Sequence, residues 1–267
     1  MNISTDTARV NDLMIKVPAV TLGFWVIKIL ATTLGETGGD AVSMSWLGET
    51  TAAAGSSGLN GYLVGTAIFG GLLAILVWAQ IAAKRFHPAL YWATIIASTT
   101  AGTTLADFVT RSMGIGYPGG SLLLFGLVIA SLAIWKAKLG SIAVETVHEP
   151  RAELFYWLTI TFSQTLGTAL GDWAADTGGL GYIGAAAIFA VGLVVLAILY
   201  FQTSFSRVGL FWAAFILTRP LGAAVGDFLD KPIAKGGLDF SRPLASAILL
   251  GAIILLIFLL PQRAAKK

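Results

Sequence analysis

Four stretches of the chain align without a gap, and this repeat constrains the fold more than any other feature. They are FWVIKILATTLGETGGD (24–40), YWATIIASTTAGTTLAD (91–107), YWLTITFSQTLGTALGD (156–172) and FWAAFILTRPLGAAVGD (211–227). Each opens on an aromatic residue followed by Trp. Each places Gly ten residues after the Trp (Gly35, Gly102, Gly167, Gly222) and Asp fifteen residues after it (Asp40, Asp107, Asp172, Asp227). The residue before the Asp is always small: Gly39, Ala106, Gly171 or Gly226. A second apolar run follows each stretch. Three of these runs open on Gly61-Tyr62, Gly116-Tyr117 and Gly181-Tyr182 and continue to about Ala83, Trp135 and Gln202; the fourth runs from about Leu244 to Leu260.

Several of the apolar runs reach about 20 residues, enough to cross a hydrocarbon core of roughly 30 Å. Charged residues make up 12% of the 267-residue chain, against about 25% in an ordinary soluble domain. The expectation is an all-α integral membrane protein, a single transmembrane domain over residues 1–267. Its eight transmembrane helices form four two-helix repeats at about 17–83, 84–138, 150–203 and 204–260. Two spans return the chain to its starting side, so the repeats are parallel in orientation and not inverted. Met1–Lys16 is polar and has no signal-peptide pattern, so the first run is expected to be a retained transmembrane helix. The N-terminus, the links between units and the C-terminus carry Arg9, Lys16, Lys84, Arg85, Lys136, Lys138, Arg151, Arg207, Arg263, Lys266 and Lys267. Loops within units carry only Arg111, Lys231, Lys235 and Arg242. The positive-inside rule then puts both termini and Ser141 in the cytoplasm, and Ser57 outside.

The four motifs resemble those of a bacterial membrane-protein family built from tandem copies of a repeat of unknown function, each with two transmembrane helices and a characteristic tryptophan. The resemblance runs from about Val17 to Leu260. It implies a multi-pass protein of the bacterial inner membrane. It brings no activity with it, so function is argued from the residues.

Residues four apart share one face of a helix. Along the four first helices this face reads Lys28, Thr32, Glu36, Asp40; Ile95, Thr99, Thr103, Asp107; Ile160, Gln164, Thr168, Asp172; and Phe215, Arg219, Ala223, Asp227. A charge near the bilayer centre costs at least about 2.5 kcal/mol, so the four polar stripes are expected to converge on a shared interior with the second helices outside. The candidate metal ligands are Glu36, Asp40, Asp107, Asp172 and Asp227. Lys28, Thr32, Thr99, Thr103, Gln164, Thr168, Asp176, Arg219 and Asp230 are the supporting polar groups and counter-ions. An interior of carboxylate, hydroxyl and amide oxygens, without thiol or imidazole, suits hard cations such as Mg²⁺, Ca²⁺ and Mn²⁺. It also suits proton relay. Arg219 stands where the other units carry Thr32, Thr99 and Gln164, so it is expected to pair with Glu36 or Asp40 of the more acidic first unit.

Each feature also has a plainer reading. The Trp residues serve equally as core or interface anchors, the Asp residues as helix caps near water, and Lys28 and Arg219 as structural counter-ions. The repeated glycines mark either close helix packing or local unwinding. His87 and His148 read as loop residues. With no Cys, disulfides and thiolate chemistry are excluded. No nucleophile–His–acid set, zinc motif or phosphate loop is present, which argues against an enzyme, and no Walker motif supports an ATP-driven pump. The net charge of +3 belongs to the cytoplasmic loops, and no basic aromatic face points to nucleic acid. The leading expectation is a secondary transporter or channel for a small cation, a divalent metal first, acting in the lipid bilayer without a resident cofactor; the sequence leaves the oligomeric state open, a homodimer included. The alternatives are a proton-coupled carrier of a small organic substrate and a non-transporting membrane scaffold or sensor.

Overall fold

The computed structural model describes residues 15–49 and 60–265. Arg9, Lys266, Lys267 and Ser57, which entered the topology argument, lie outside the described residues. Within them the chain is all-helical, with eight α-helices: α1 Leu22–Asp40, α2 Gly61–Ala82, α3 Pro88–Asp107, α4 Gly116–Leu139, α5 Pro150–Asp172, α6 Gly181–Gln202, α7 Arg207–Asp230 and α8 Arg242–Leu259. Five of them, α2, α4, α6, α7 and α8, are long and apolar enough to cross a membrane. The remaining three, α1, α3 and α5, carry three of the four polar stripes, and α7 carries the fourth.

Their starts follow from local chemistry. The Thr21 hydroxyl caps α1 by accepting from the Phe24 amide at 3.2 Å, and Asn60 caps α2 in the same way. Pro88, Pro150 and Pro243 sit in the first turns of α3, α5 and α8, where the missing N–H costs nothing. The left-handed backbone of Gly116 and Gly181 (φ 73° and 64°) lets the chain reverse sharply into α4 and α6.

The first helices of the four units, α1, α3, α5 and α7, form a closed ring: α1 packs on α3, α3 on α5, α5 on α7 and α7 back on α1. The outer helices obey a rule the repeat alone does not announce. Each one packs mainly against the inner helix of the following unit: α2 on α3, α4 on α5, α6 on α7, and α8 on α1. The units are thereby interlocked, and the fourth closes on the first.

The repeated glycines are the seams of the ring. A side chain on Gly35 would collide with Thr99 of α3, and one on Gly167 with Arg219 of α7. On Gly102 it would meet the backbone of Gln164 and Thr165 in α5 at 2.9 Å, and on Gly222 it would strike Thr32 of α1. The same relation between units thus recurs four times round the ring. All four helices continue unbroken through these glycines, which settles their role as close packing.

At the end holding the described termini, the aromatic pairs form a second closed cycle. Phe24 lies against Trp92 (ring centroids 5.5 Å apart), Tyr91 against Trp157 (5.6 Å), Tyr156 against Trp212 (6.1 Å) and Phe211 against Trp25 (5.9 Å). The Tyr91 and Tyr156 hydroxyls share a hydrogen bond of 2.6 Å. The terminal segments pair above this collar, with Ala19 N donating to Arg263 O and Ala265 N to Val17 O, both at 2.8 Å. Lys16 caps the carboxyl end of α2 through Gln80 O, Ile81 O and Ala83 O (2.8–3.1 Å) and pairs with Glu153 at 2.6 Å.

Candidate functional site

The ring axis is read in layers from the aromatic collar toward the repeated Asp residues. The first layer holds Lys28 among Ile95, Ile160 and Phe215, all with 0% exposure. The Lys28 ammonium donates to Thr218 Oγ1 at 3.0 Å and lies 3.8 Å from the centre of the Phe215 ring. Among the described residues no carboxylate comes within ion-pair distance of it.

One turn further on stand Thr32, Thr99, Gln164 and Arg219. Thr32 donates to Ile29 O at 2.8 Å and lies 3.2 Å from Thr218 O, which fastens the α1–α7 seam. Arg219 is long enough to cross the axis. Its Nη2 reaches Glu36 Oε2 of α1 at 2.9 Å, Thr103 Oγ1 of α3 at 2.6 Å and Thr168 Oγ1 of α5 at 2.5 Å. One guanidinium nitrogen from α7 therefore touches all three other inner helices. The expected pairing of Arg219 with Glu36 is present, and Thr103 and Thr168, a turn beyond Thr99 and Gln164, complete its cage.

The four repeated Asp residues form the next layer, buried to 3% exposure or less. Asp40, Asp107 and Asp172 stand last in α1, α3 and α5, and none makes a side-chain cap bond to the turn that follows. Each of the four is held by a cation that follows one turn later in the second or fourth unit. Arg111 bridges Asp107 (3.2 Å) and Asp172 (3.0 Å). Lys231 bridges Asp227 (2.9 Å) and Asp40, with Asp230 at 3.7 Å. Each cation joins its own Asp to that of the next unit. Arg111 is further held by the hydroxyls of Tyr117 at 3.1 Å and Tyr62 at 3.3 Å. These are the tyrosines of the Gly-Tyr pairs that start the outer helices. Arg242, at the start of α8, reaches Asp230 at 3.3 Å.

Directly after the Asp, three of the four inner helices widen into a π-helical turn, at 41–46, 108–112 and 173–177. The i→i−5 bonds Leu47 N to Val42 O, Met113 N to Phe108 O and Gly178 N to Trp173 O (2.7–3.0 Å) close these turns. Such turns re-aim the side chains that follow and are frequent at functional sites. The fourth inner helix, α7, stays α-helical through Asp230.

Two carboxylate groupings result. Glu36, Asp172 and Asp227 each offer an oxygen such that all lie within 4.8 Å of one another, and so do Asp40, Asp227 and Asp230. The members of the first come from α1, α5 and α7.

The fourfold geometry agrees with the comparison to known families. Residues 23–86, 90–138, 155–205 and 210–264 each match the family model described as Repeat of Unknown Function (DUF347). The chain belongs to this family. No curated protein and no solved structure matches it. The four DUF347 units are thus the four segments of one ring.

Of the candidate ligands, Asp107 joins neither carboxylate grouping and is held by Arg111. Asp176 is exposed and accepts from the Tyr117 hydroxyl at 3.3 Å, away from the axis. Asp230 lies deeper than its place near a helix end suggests, with 3% exposure. In the sequence Arg111 and Lys231 read as loop charges with no part in the site. The signal was available: nineteen residues after the Trp the units carry Met44, Arg111, Asp176 and Lys231, a cation in every second unit. It continues the four-residue spacing of the stripe, since Arg111 follows Asp107 and Lys231 follows Asp227 by four residues.

Proposed function

We propose that this DUF347 protein is a secondary transporter or channel that moves a small cation across the bacterial inner membrane. A divalent metal such as Mn²⁺, Mg²⁺ or Ca²⁺ is our first choice. In this reading all eight helices span the bilayer, with both termini cytoplasmic. The polar α1, α3 and α5 cross inside the wrapping of apolar outer helices, which relieves them of contact with lipid. One observation carries the metal reading: three buried carboxylates from three helices, Glu36, Asp172 and Asp227, offer oxygens within 4.8 Å of one another on the axis. Carboxylate and hydroxyl oxygen at that spacing suit a hard divalent ion. Arg219, Arg111 and Lys231 occupy the outer lone pairs of these carboxylates, so an entering metal competes with tethered cations.

The test is flux into proteoliposomes of the purified protein across a panel of metals, with and without a pH gradient. Metal entry that Asp172→Asn and Asp227→Asn abolish, in proteins that remain folded, is the expected result. A panel in which no metal moves would sink the metal reading. A second reading has its own support. At formal charge, six buried carboxylates (Glu36, Asp40, Asp107, Asp172, Asp227, Asp230) share the ring with five cations (Lys28, Arg111, Arg219, Lys231, Arg242), one negative charge in excess, which a single proton offsets. Under this reading the protein is a proton-coupled carrier of a small organic substrate, and the liposomes take up protons down an imposed gradient while every metal stays outside.

A further inference from the structure

Below the carboxylates the axis carries donors that nothing among the described residues satisfies. Arg219 spends Nη2 on its cage, while its Nε and Nη1 have no hydrogen-bond partner. Gln164 has 0% exposure, and neither atom of its amide is bonded. The Thr99 hydroxyl is equally unpartnered. These three residues come from α7, α5 and α3 and occupy equivalent positions in their units. Their stems lean over Gly167, Gly102 and Gly35 respectively, each on the preceding helix of the ring. One turn toward the collar lies Lys28, bonded to Thr218, the residue before Arg219. Burying a polar group without a partner typically costs about 1–3 kcal/mol, and an uncompensated charge costs more. The set contains free guanidinium, amide and hydroxyl donors and one unneutralised ammonium. Among the described residues Glu36 is the carboxylate paired with this set, and Arg219 already faces it through its other nitrogen.

We propose that Lys28, Thr99, Gln164 and Arg219 form a binding site for a small monovalent anion, a halide or a simple carboxylate, on the ring axis beneath the carboxylate layer. The donor types fit. Guanidinium and amide N–H groups with a nearby ammonium make charge-assisted bonds to an anion, and the Glu36 carboxylate beside them is held by Arg219 Nη2. The inference deepens the cation reading, since it rests on the same chamber. A divalent metal alone would turn the buried excess of one negative charge into an excess of one positive charge, and one bound monovalent anion restores neutrality. The site itself depends only on the donors and stands whether or not a metal is carried.

The experiment is saturable binding of ³⁶Cl⁻ to the purified, metal-free protein in detergent, with formate and gluconate as competitors. The expected result is one chloride site per chain that formate displaces and the bulky gluconate does not. Formate that binds more tightly than chloride assigns the site to a carboxylate, and the reverse order assigns it to a halide. Lys28→Met is expected to weaken binding at least tenfold, and Gln164→Leu and Thr99→Val severalfold each. Gly126→Ala, on the outer helix α4 where the new methyl group meets nothing within 4 Å, leaves it within twofold. The Gln164 and Thr99 variants keep the test open if Lys28→Met fails to fold. The proposal is overturned if the folded wild-type protein binds neither anion saturably, or if binding is unchanged in every folded variant of Lys28, Gln164 and Thr99. Metal flux is scored separately, so an anion site in a protein that moves no metal rejects the metal reading alone.

Discussion

At the scale of single residues, Arg219 and Glu36 are the pair on which the chamber depends. Removing one partner of a buried ion pair typically costs about 3–5 kcal/mol, because the other charge stays buried and unmatched. Arg219→Ala is therefore expected to destabilise the protein by about that amount. Adding Glu36→Gln should restore part of the loss, since the double variant buries no orphaned carboxylate there. Thermal unfolding of the two single variants and the double variant gives the coupling directly. A coupling below about 0.5 kcal/mol would mean the guanidinium acts through Thr103 and Thr168 and not through the charge. The pair was legible in the sequence because alignment of the units set one arginine against three neutral residues, opposite the most acidic unit. The bridges made by Arg111 and Lys231 were not legible in the same way. Both residues follow the end of the polar stripe, and a π-turn or loop decides where they point. A second consequence lies at Lys231: Lys231→Met leaves Asp40 and Asp227 facing each other without their shared cation. The variant should unfold at a lower temperature than wild type, and adding Asp40→Asn should recover part of the loss. A double variant no more stable than Lys231→Met alone would contradict the bridge.

At the scale of helices, the glycine seams set how closely the ring can draw in. Gly102→Ala is the cleanest probe, since its new methyl group meets backbone atoms of α5 at 2.9 Å, and backbone cannot turn aside as a side chain can. Overpacking of this kind costs about 1–3 kcal/mol. Gly126→Ala in α4 is the matched control. Its methyl group would meet nothing within 4 Å, and replacing Gly by Ala inside a helix gains roughly 0.5–1 kcal/mol. Thermal unfolding should therefore move in opposite directions for the two variants, and a shift of the same sign and size in both would remove the seam from the account. The polar face of the inner helices was readable from its spacing. The partner of each outer helix was not. An outer helix such as α6 is apolar on nearly every face, so its sequence does not encode which inner helix it covers, and geometry passes it on to the next unit.

At the scale of the molecule, the hand-over of each outer helix to the next unit makes the ring cyclic in contacts although the chain is linear. The eight-span arrangement itself is checked by cysteine labelling. With no native Cys, Ser141→Cys should react only from the cytoplasmic side and Ser57→Cys only from outside, and labelling of both from one side would reject parallel repeats. The cyclic contacts lead to a stronger test. The described ends lie side by side, since Ala19 bonds to Arg263 and Val17 to Ala265. The link between α2 and α3 is a short exposed stretch around Lys84 and Arg85, on the same side as those ends. A circular permutant that joins the two termini through a short Gly-Ser linker and opens the chain at this link keeps every inner–inner seam and every outer–inner contact. It also leaves all helices in their original orientation. It should insert and unfold within a few degrees of the wild-type protein. A chain cut after Thr203 should not, because it loses α7 from the ring and α8 from the back of α1, and leaves Glu36 buried without Arg219. Equal stability of the truncated chain and the permutant would show that the units fold independently and that the closed ring is not what holds them.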